Sequence, residues 1–241
     1  MIFQIDYLVV LNGIFSILYV GISVFIGLLM ISKYFKHRET LLILVGITWI
    51  GLVSPWYPSS VSFISYLLTG EGISLELYLI IGNVAAPFIL IIWIYAFTDL
   101  LYPSKKKLAM LIMVLYTIAF ETIFFYFLLT DPTSLGTLHP PIDVEFKFLM
   151  LGFAVSIILI MLFTGIIFAR ESLRSNNPEL KLKGKFLYAA FFSYTLGAVL
   201  DAAIPLNPIT LTLARIILIS SAIEWYFGFI LPEKVKKIFL K

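Results

Sequence analysis

The chain has 241 residues, 61% of them apolar and 13% charged, against roughly 25% charged residues in an ordinary soluble domain. A mean hydropathy of +1.04 leaves too little polar side chain to cover a water-facing globule, and apolar runs of about 20 residues, the length that crosses a bilayer, recur along the chain. These numbers exclude a soluble protein, and they give the net charge of +3 to membrane orientation rather than to nucleic acid, because the basic residues fall between the apolar runs.

In chain order the apolar runs predict seven spans, at about 7–32, 40–55, 75–101, 108–130, 148–169, 186–204 and 209–231. The fold class is therefore all-α: a polytopic seven-helix bundle forming a single domain over 1–241, with only short loops left over and no room for a soluble catalytic domain. The first run is not a cleavable signal, since no positive charge precedes it and no small-x-small site follows it. The second is short. After Pro55 come Trp56, Tyr57 and Pro58 and then an apolar stretch 61–68, read here as a helix lying at the interface in preference to a kinked continuation. Lys33, Lys36 and Arg38 follow the first run, Lys105 to Lys107 the third, Arg170 to Lys185 the fifth, and Lys234 to Lys241 the seventh. Fifteen of the seventeen Lys and Arg residues thus alternate onto one side. By the positive-inside rule that side is cytoplasmic, so the amino terminus is outside and the carboxyl terminus inside.

Pro55 and Pro58 after the second run and Pro205 and Pro208 after the sixth hint at a parallel repeat of three spans, although prolines and lysines gather at helix ends generally. Small residues such as Gly152, Ser156, Gly165, Ser193, Gly197 and Ala198 are expected to bring helices close. Trp56 and Tyr57 at the outer boundary, and Trp225 and Tyr226 towards the inner one, suit interfacial anchoring.

Polar groups inside a bilayer cost several kcal/mol unless they face a partner or water, so they are the functional candidates. Asn12, Asn83, Glu121, Asp201 and Arg215 all fall in the outer half, within roughly 13 Å of the surface at 1.5 Å per residue. Asp201 and Arg215 flank a short turn at similar distances and are expected to form an ion pair. That pair serves either as a clamp between helices or, with Glu121 competing for the same arginine and the asparagines adding hydrogen bonds, as a ligand site. Pro87 is expected to kink the third span beside Asn83. Glu224, nine residues beyond Arg215 and half a helical turn round, is either neutralised by a snorkelling lysine or acts as a proton or gate group.

With no cysteine, and with His37 and His139 both between spans, the sequence supports no disulfide, thiolate metal site or bis-histidine haem. Every lysine lies in a loop or at a helix end, so no lysine is placed to hold retinal. No protease, hydrolase, prenyl-transfer or nucleotide-binding motif occurs. Neither metal nor cofactor is expected, and an enzyme is the least favoured class.

The run Gly197, Ala198, Val199, Leu200, Asp201, with Pro205 and Pro208 after it, and the run from Trp225 to Pro232 resemble the end of the seven-helix sensory domains at the amino terminus of prokaryotic histidine kinases, and of stand-alone archaeal membrane proteins similar to them. The resemblance covers about the last 45 residues. It implies detection of an external or membrane-dissolved small molecule or lipid, and relay to a cytoplasmic partner. No kinase is expected after Lys241, and the output is expected to pass through the loop 170–185 and the tail 233–241. A seven-helix sensor in the cell membrane is thus the first reading. A small secondary transporter of 3+1+3 layout is the alternative, although it lacks the proline–glutamine signature of small sugar transporters of that layout.

Overall fold

The computed structural model describes residues 6–203 and 207–240; Ile204 of the sixth span, Pro205 and Leu206 of the turn after it, and Lys241 lie outside them. α1 (Tyr7–His37) begins where the Asp6 carboxylate accepts the Leu8 N–H at 2.9 Å. It ends where Arg38 turns left-handed at φ 58° and returns its N–H to the Tyr34 carbonyl. α2 (Thr40–Leu52) leads through a single 3-10 turn at Ser54–Trp56 into α3 (Tyr57–Thr69). Gly27 of α1 meets Gly46 and Ile50, and Gly13 meets the Phe63 ring, so α1 runs antiparallel along both α2 and α3. The stretch Thr40–Thr69 is therefore one kinked, membrane-long segment, which corrects the expectation of an interfacial helix after Pro55. The reason is local. Pro55 and Pro58 each occupy the opening positions of a new helical turn, where a missing N–H breaks no bond and the fixed φ favours helix, so the chain bends without changing direction.

α4 (Leu75–Asn83) and α5 (Ala86–Leu101) are two halves of the third segment. They part where Pro87 has no N–H to give the Asn83 carbonyl, the expected kink. Ser54 donates to the Gly82 carbonyl at 3.0 Å, so the two kinks are tied to each other. α6 (Lys106–Thr130) packs on α5. A feature absent from the all-helical expectation follows: β1 (Gly136–His139) and β2 (Asp143–Phe146) form an antiparallel hairpin, with Gly136 opposite Phe146 and His139 opposite Asp143. Ser62 of α3 fixes its tip by donating to the Pro141 carbonyl at 2.5 Å while accepting the Ile73 N–H at 2.9 Å.

α7 (Phe148–Leu173), α8 (Pro178–Ala203) and α9 (Pro208–Phe229) are an antiparallel trio. Gly165 lies against Phe191, Gly184 against Ala169 and Leu173, Gly197 against Leu218, and Gly228 against Leu187. Gly165 and Gly197 act as expected, and Gly184 and Gly228 do the same without having been singled out, but Gly152 has open space where a side chain would be; Ser156 donates to the Phe153 carbonyl of its own helix at 2.7 Å and bonds the Tyr116 hydroxyl of α6 at 2.6 Å. The tail forms α10 (Glu233–Phe239), held by Lys236 to Glu179 of α8 at 2.6 Å.

The long segments close into a ring, α1, α2, α5, α7, α8, α9 and back to α1, with α6 outside it. Trp49, Trp93 and Trp225 fill its middle, Trp225 standing 4.9 Å from Trp49 and 5.7 Å from Trp93 between ring centroids. Trp225 is 1% exposed, a core residue and not the interfacial anchor expected. The periphery is apolar, with Phe25, Leu28, Leu111, Leu115, Phe163 and Ile216 all exposed. An apolar perimeter of that extent is a lipid-facing surface, not a water-facing one. Six helical segments among the described residues are long and apolar enough to cross a membrane; this is a helical membrane protein.

Candidate ligand-binding cavity

The end of the ring that carries the hairpin encloses a cavity of about 760 Å³, a size typical of small-molecule sites. The hairpin, the kinks of the second and third segments, and the neighbouring turns of α1, α7, α8 and α9 all contribute to its wall. Of the five polar residues singled out in the sequence, Asn12, Asn83, Asp201 and Arg215 line it.

Arg215 organises the polar wall. It is 2% exposed, and its Nη2 donates to Asn12 Oδ1 at 2.9 Å while Nη1 lies 3.2 Å from Asp201 Oδ2, the expected ion pair. Trp56 donates from its indole N–H to the same Asp201 oxygen at 2.8 Å, and the guanidinium carbon stands 5.9 Å from the Trp56 ring centroid. Ser16 donates to Asn12 Oδ1 at 3.3 Å. The cluster thus ties α1, α8, α9 and the Ser54–Trp56 turn together. It is not saturated. Asp201 Oδ1 and Arg215 Nε are buried without a hydrogen-bond partner among the described residues, whereas nearly all buried polar groups in folded proteins have one. Asn83 is turned back on its own helix, donating to the Leu79 carbonyl at 2.9 Å. Tyr194 donates to the Leu52 carbonyl at 3.0 Å, and Tyr78 and Ser59 share a bond of 2.7 Å.

Trp56 is not the interfacial anchor that its place in the sequence predicts. It is 5% exposed because the proline-bracketed turn points it into the ring, where its N–H meets Asp201. The hairpin residues that face the cavity were not foreseen either. His139, Asp143 and Glu145 all line it; His139 and Glu145 are 3.3 Å apart, and among the described residues no cation stands within ion-pair distance of Asp143. Burial raises the Asp143 carboxyl above its ordinary range, and the charge of Asp201 adds to the rise, while the Val144 backbone bond, Arg215 and His139 oppose it.

Two candidates fall elsewhere. Glu121 sits on α6 next to Phe120, which does line the cavity, but one residue is 100° of helix rotation and takes its carboxylate out of the lining. It does not compete for Arg215, and both its oxygens are buried without hydrogen-bond partners. Glu224 faces the hydroxyls of Ser193 and Ser220, remote from the cavity. Lys236 of the tail pairs with Glu179 and Glu233, Asp99 pairs with Lys106 at 2.7 Å, and among the described residues no ion pair includes Glu224. No three His, Asp or Glu side chains gather in a metal-binding group among the described residues.

No protein-family model matches the chain, and no curated protein matches it.

Proposed function

We propose that the chain is a seven-span receptor-like sensor of the cell membrane, with the hairpin end outside, the lysine-rich end in the cytoplasm, and a ligand held in the hairpin-end cavity. α8 is the seventh span: its 26 residues reach about 39 Å, and it lies between α7 and α9 along its length. The alternation of lysines supports the orientation. The observation that carries the functional reading is the convergence of Asn12, Asn83, Asp201 and Arg215, each from a different segment, on one cavity with buried unpartnered polar atoms. The close-packed aromatic cluster of Trp49, Trp93, Trp225 and Phe191 lies between that cavity and the lysine-rich end, which favours a one-sided pocket over a transport path. Glu179 with Lys236 joins the start of α8 to the tail, so the two basic segments present one surface to a cytoplasmic partner.

The chain has no cysteine, so single substitutions report cleanly. Thr137→Cys and Ile209→Cys should react with a membrane-impermeant maleimide from outside, and Lys107→Cys and Asn176→Cys from the cytoplasm. Ile209→Cys and Asn176→Cys reacting from the same face would remove α8 as a span. An Asn83→Cys variant closed to the outside reagent would remove the pocket.

A further inference from the structure

Resting on that reading, we infer that the cavity takes a lipophilic cation, an ammonium group on an apolar body, and admits it sideways from the bilayer between α7 and α8.

Three observations converge. The first is the register of α7 and α8. In the lysine-rich half they touch, Gly165 on Phe191 and Gly184 on Ala169. Continuing the same antiparallel register brings Ile158 level with Ala198 and Ala154 level with Ala202, and there these residues line the cavity instead. Leu151 and Ala202 line it and are exposed as well, so they form a rim open on the lipid-facing side. The second is charge. The Arg215 charge is engaged by Asp201 and Asn12, although its Nε has no hydrogen-bond partner among the described residues, and the His139 ring lies 3.3 Å from the Glu145 carboxylate. Asp143 is left without a cation, Asp201 Oδ1 is left without a partner, and the cavity carries more negative than positive groups. The third is the rest of the wall: the rings of Trp56, Tyr78 and Phe120 suit an ammonium group, and Ile89, Ile157 and Ile158 suit its apolar body.

Depth fits the route. Asp201 is adjacent to Ala202 on the rim, within the last turn of α8 before Ala203. A headgroup crossing the rim reaches the carboxylates at the level it already holds in the membrane, and so avoids the cost of passing through hydrocarbon.

The test uses Asn83→Cys protein in nanodiscs and measures protection of that cysteine from maleimide by dodecyltrimethylammonium, dodecyl sulfonate and dodecanol. The ammonium is expected to protect at least about tenfold more tightly than either of the others. Adding Asp143→Asn should remove about that tenfold, and Glu71→Gln, at an exposed carboxylate outside the lining, should leave it unchanged. Protection by the ammonium should strengthen as pH rises through the raised range of Asp143, with Asp201, Arg215, Glu145 and His139 facing it, and the rise should be absent in Asp143→Asn. Ala154→Cys should react with an N-alkyl maleimide dissolved in the bilayer. Equal or stronger protection by the sulfonate overturns the cation assignment while leaving the cavity as a ligand site. Reaction of Ala154→Cys with water-borne reagent only overturns the lateral route. Protection by none of the three probes overturns the inference, and an unreactive Asn83→Cys separately overturns the reading beneath it.

Discussion

Arg215 and Asp201 show how one charged pair is made tolerable inside a membrane protein. Neither is isolated: Asn12 and Trp56 each add a hydrogen bond to a charged group, and a bond of that kind is worth about 1.5–3 kcal/mol. Removing one partner of a buried pair strands the other, so Asp201→Asn should lower stability by about 3–5 kcal/mol, and Arg215→Gln added to it should recover part of the loss. Thermal unfolding of the two variants and the double variant checks this; an additive double variant would mean that the pair does not interact. Asp143 behaves differently. Its folded carboxyl titrates above the unfolded value, so its contribution to stability is full below the ordinary carboxylate range and is lost as pH rises through the raised value. Asp143→Asn should flatten that decline and stabilise the protein at neutral pH, as unfolding measured across pH will show. At this scale the sequence revealed the ion pair, because an aspartate and an arginine equidistant from one turn have few other places to go. Trp56 was hidden because a tryptophan beside a proline turn looks the same whether it meets lipid or a carboxylate.

Whole elements were legible wherever a single signal decided them. Apolar length placed the long segments, and Pro87 marked the break between α4 and α5. The second segment was misread because Pro55 and Pro58 end a helix in most settings. Only the packing of α1 on both halves, through Gly27 and Gly13, shows that the direction continues. The hairpin was missed although Leu138, Val144 and Phe146 alternate with polar residues; two four-residue strands are too short for alternation to stand out. Close helix contacts give a paired prediction. A methyl at Gly27 would stand 2.4 Å from Ile50 and 2.9 Å from the Gly46 carbonyl, so Gly27→Ala should cost about 1–3 kcal/mol. Gly152 has nothing within 4 Å, and Gly152→Ala should gain about 0.5–1 kcal/mol from helix propensity alone. Melting temperatures of the two variants distinguish a packed glycine from an idle one.

At the scale of the molecule, the ring is closed by contacts between α1 and α9 and between α5 and α7, pairs far apart in sequence that no local pattern announces. Their closure turns scattered polar residues into one cavity. Depth along each helix was readable from the sequence, but direction around the axis was not, which is why Glu121, at the right depth, ended outside the lining. In the proposed reading, the aromatic cluster of Trp49, Trp93 and Trp225 is what closes the cavity towards the lysine-rich end. The most direct test compares access to the two sides of that cluster. Asn83→Cys and Ala222→Cys, the latter beside Trp225 in the packed centre, are treated with impermeant maleimide from each face, with and without dodecyltrimethylammonium and across pH. The account predicts that Asn83→Cys reacts from the hairpin side alone and that Ala222→Cys stays closed to both sides throughout. Access that moves from one face to the other at either position would contradict it, and would make the protein a transporter.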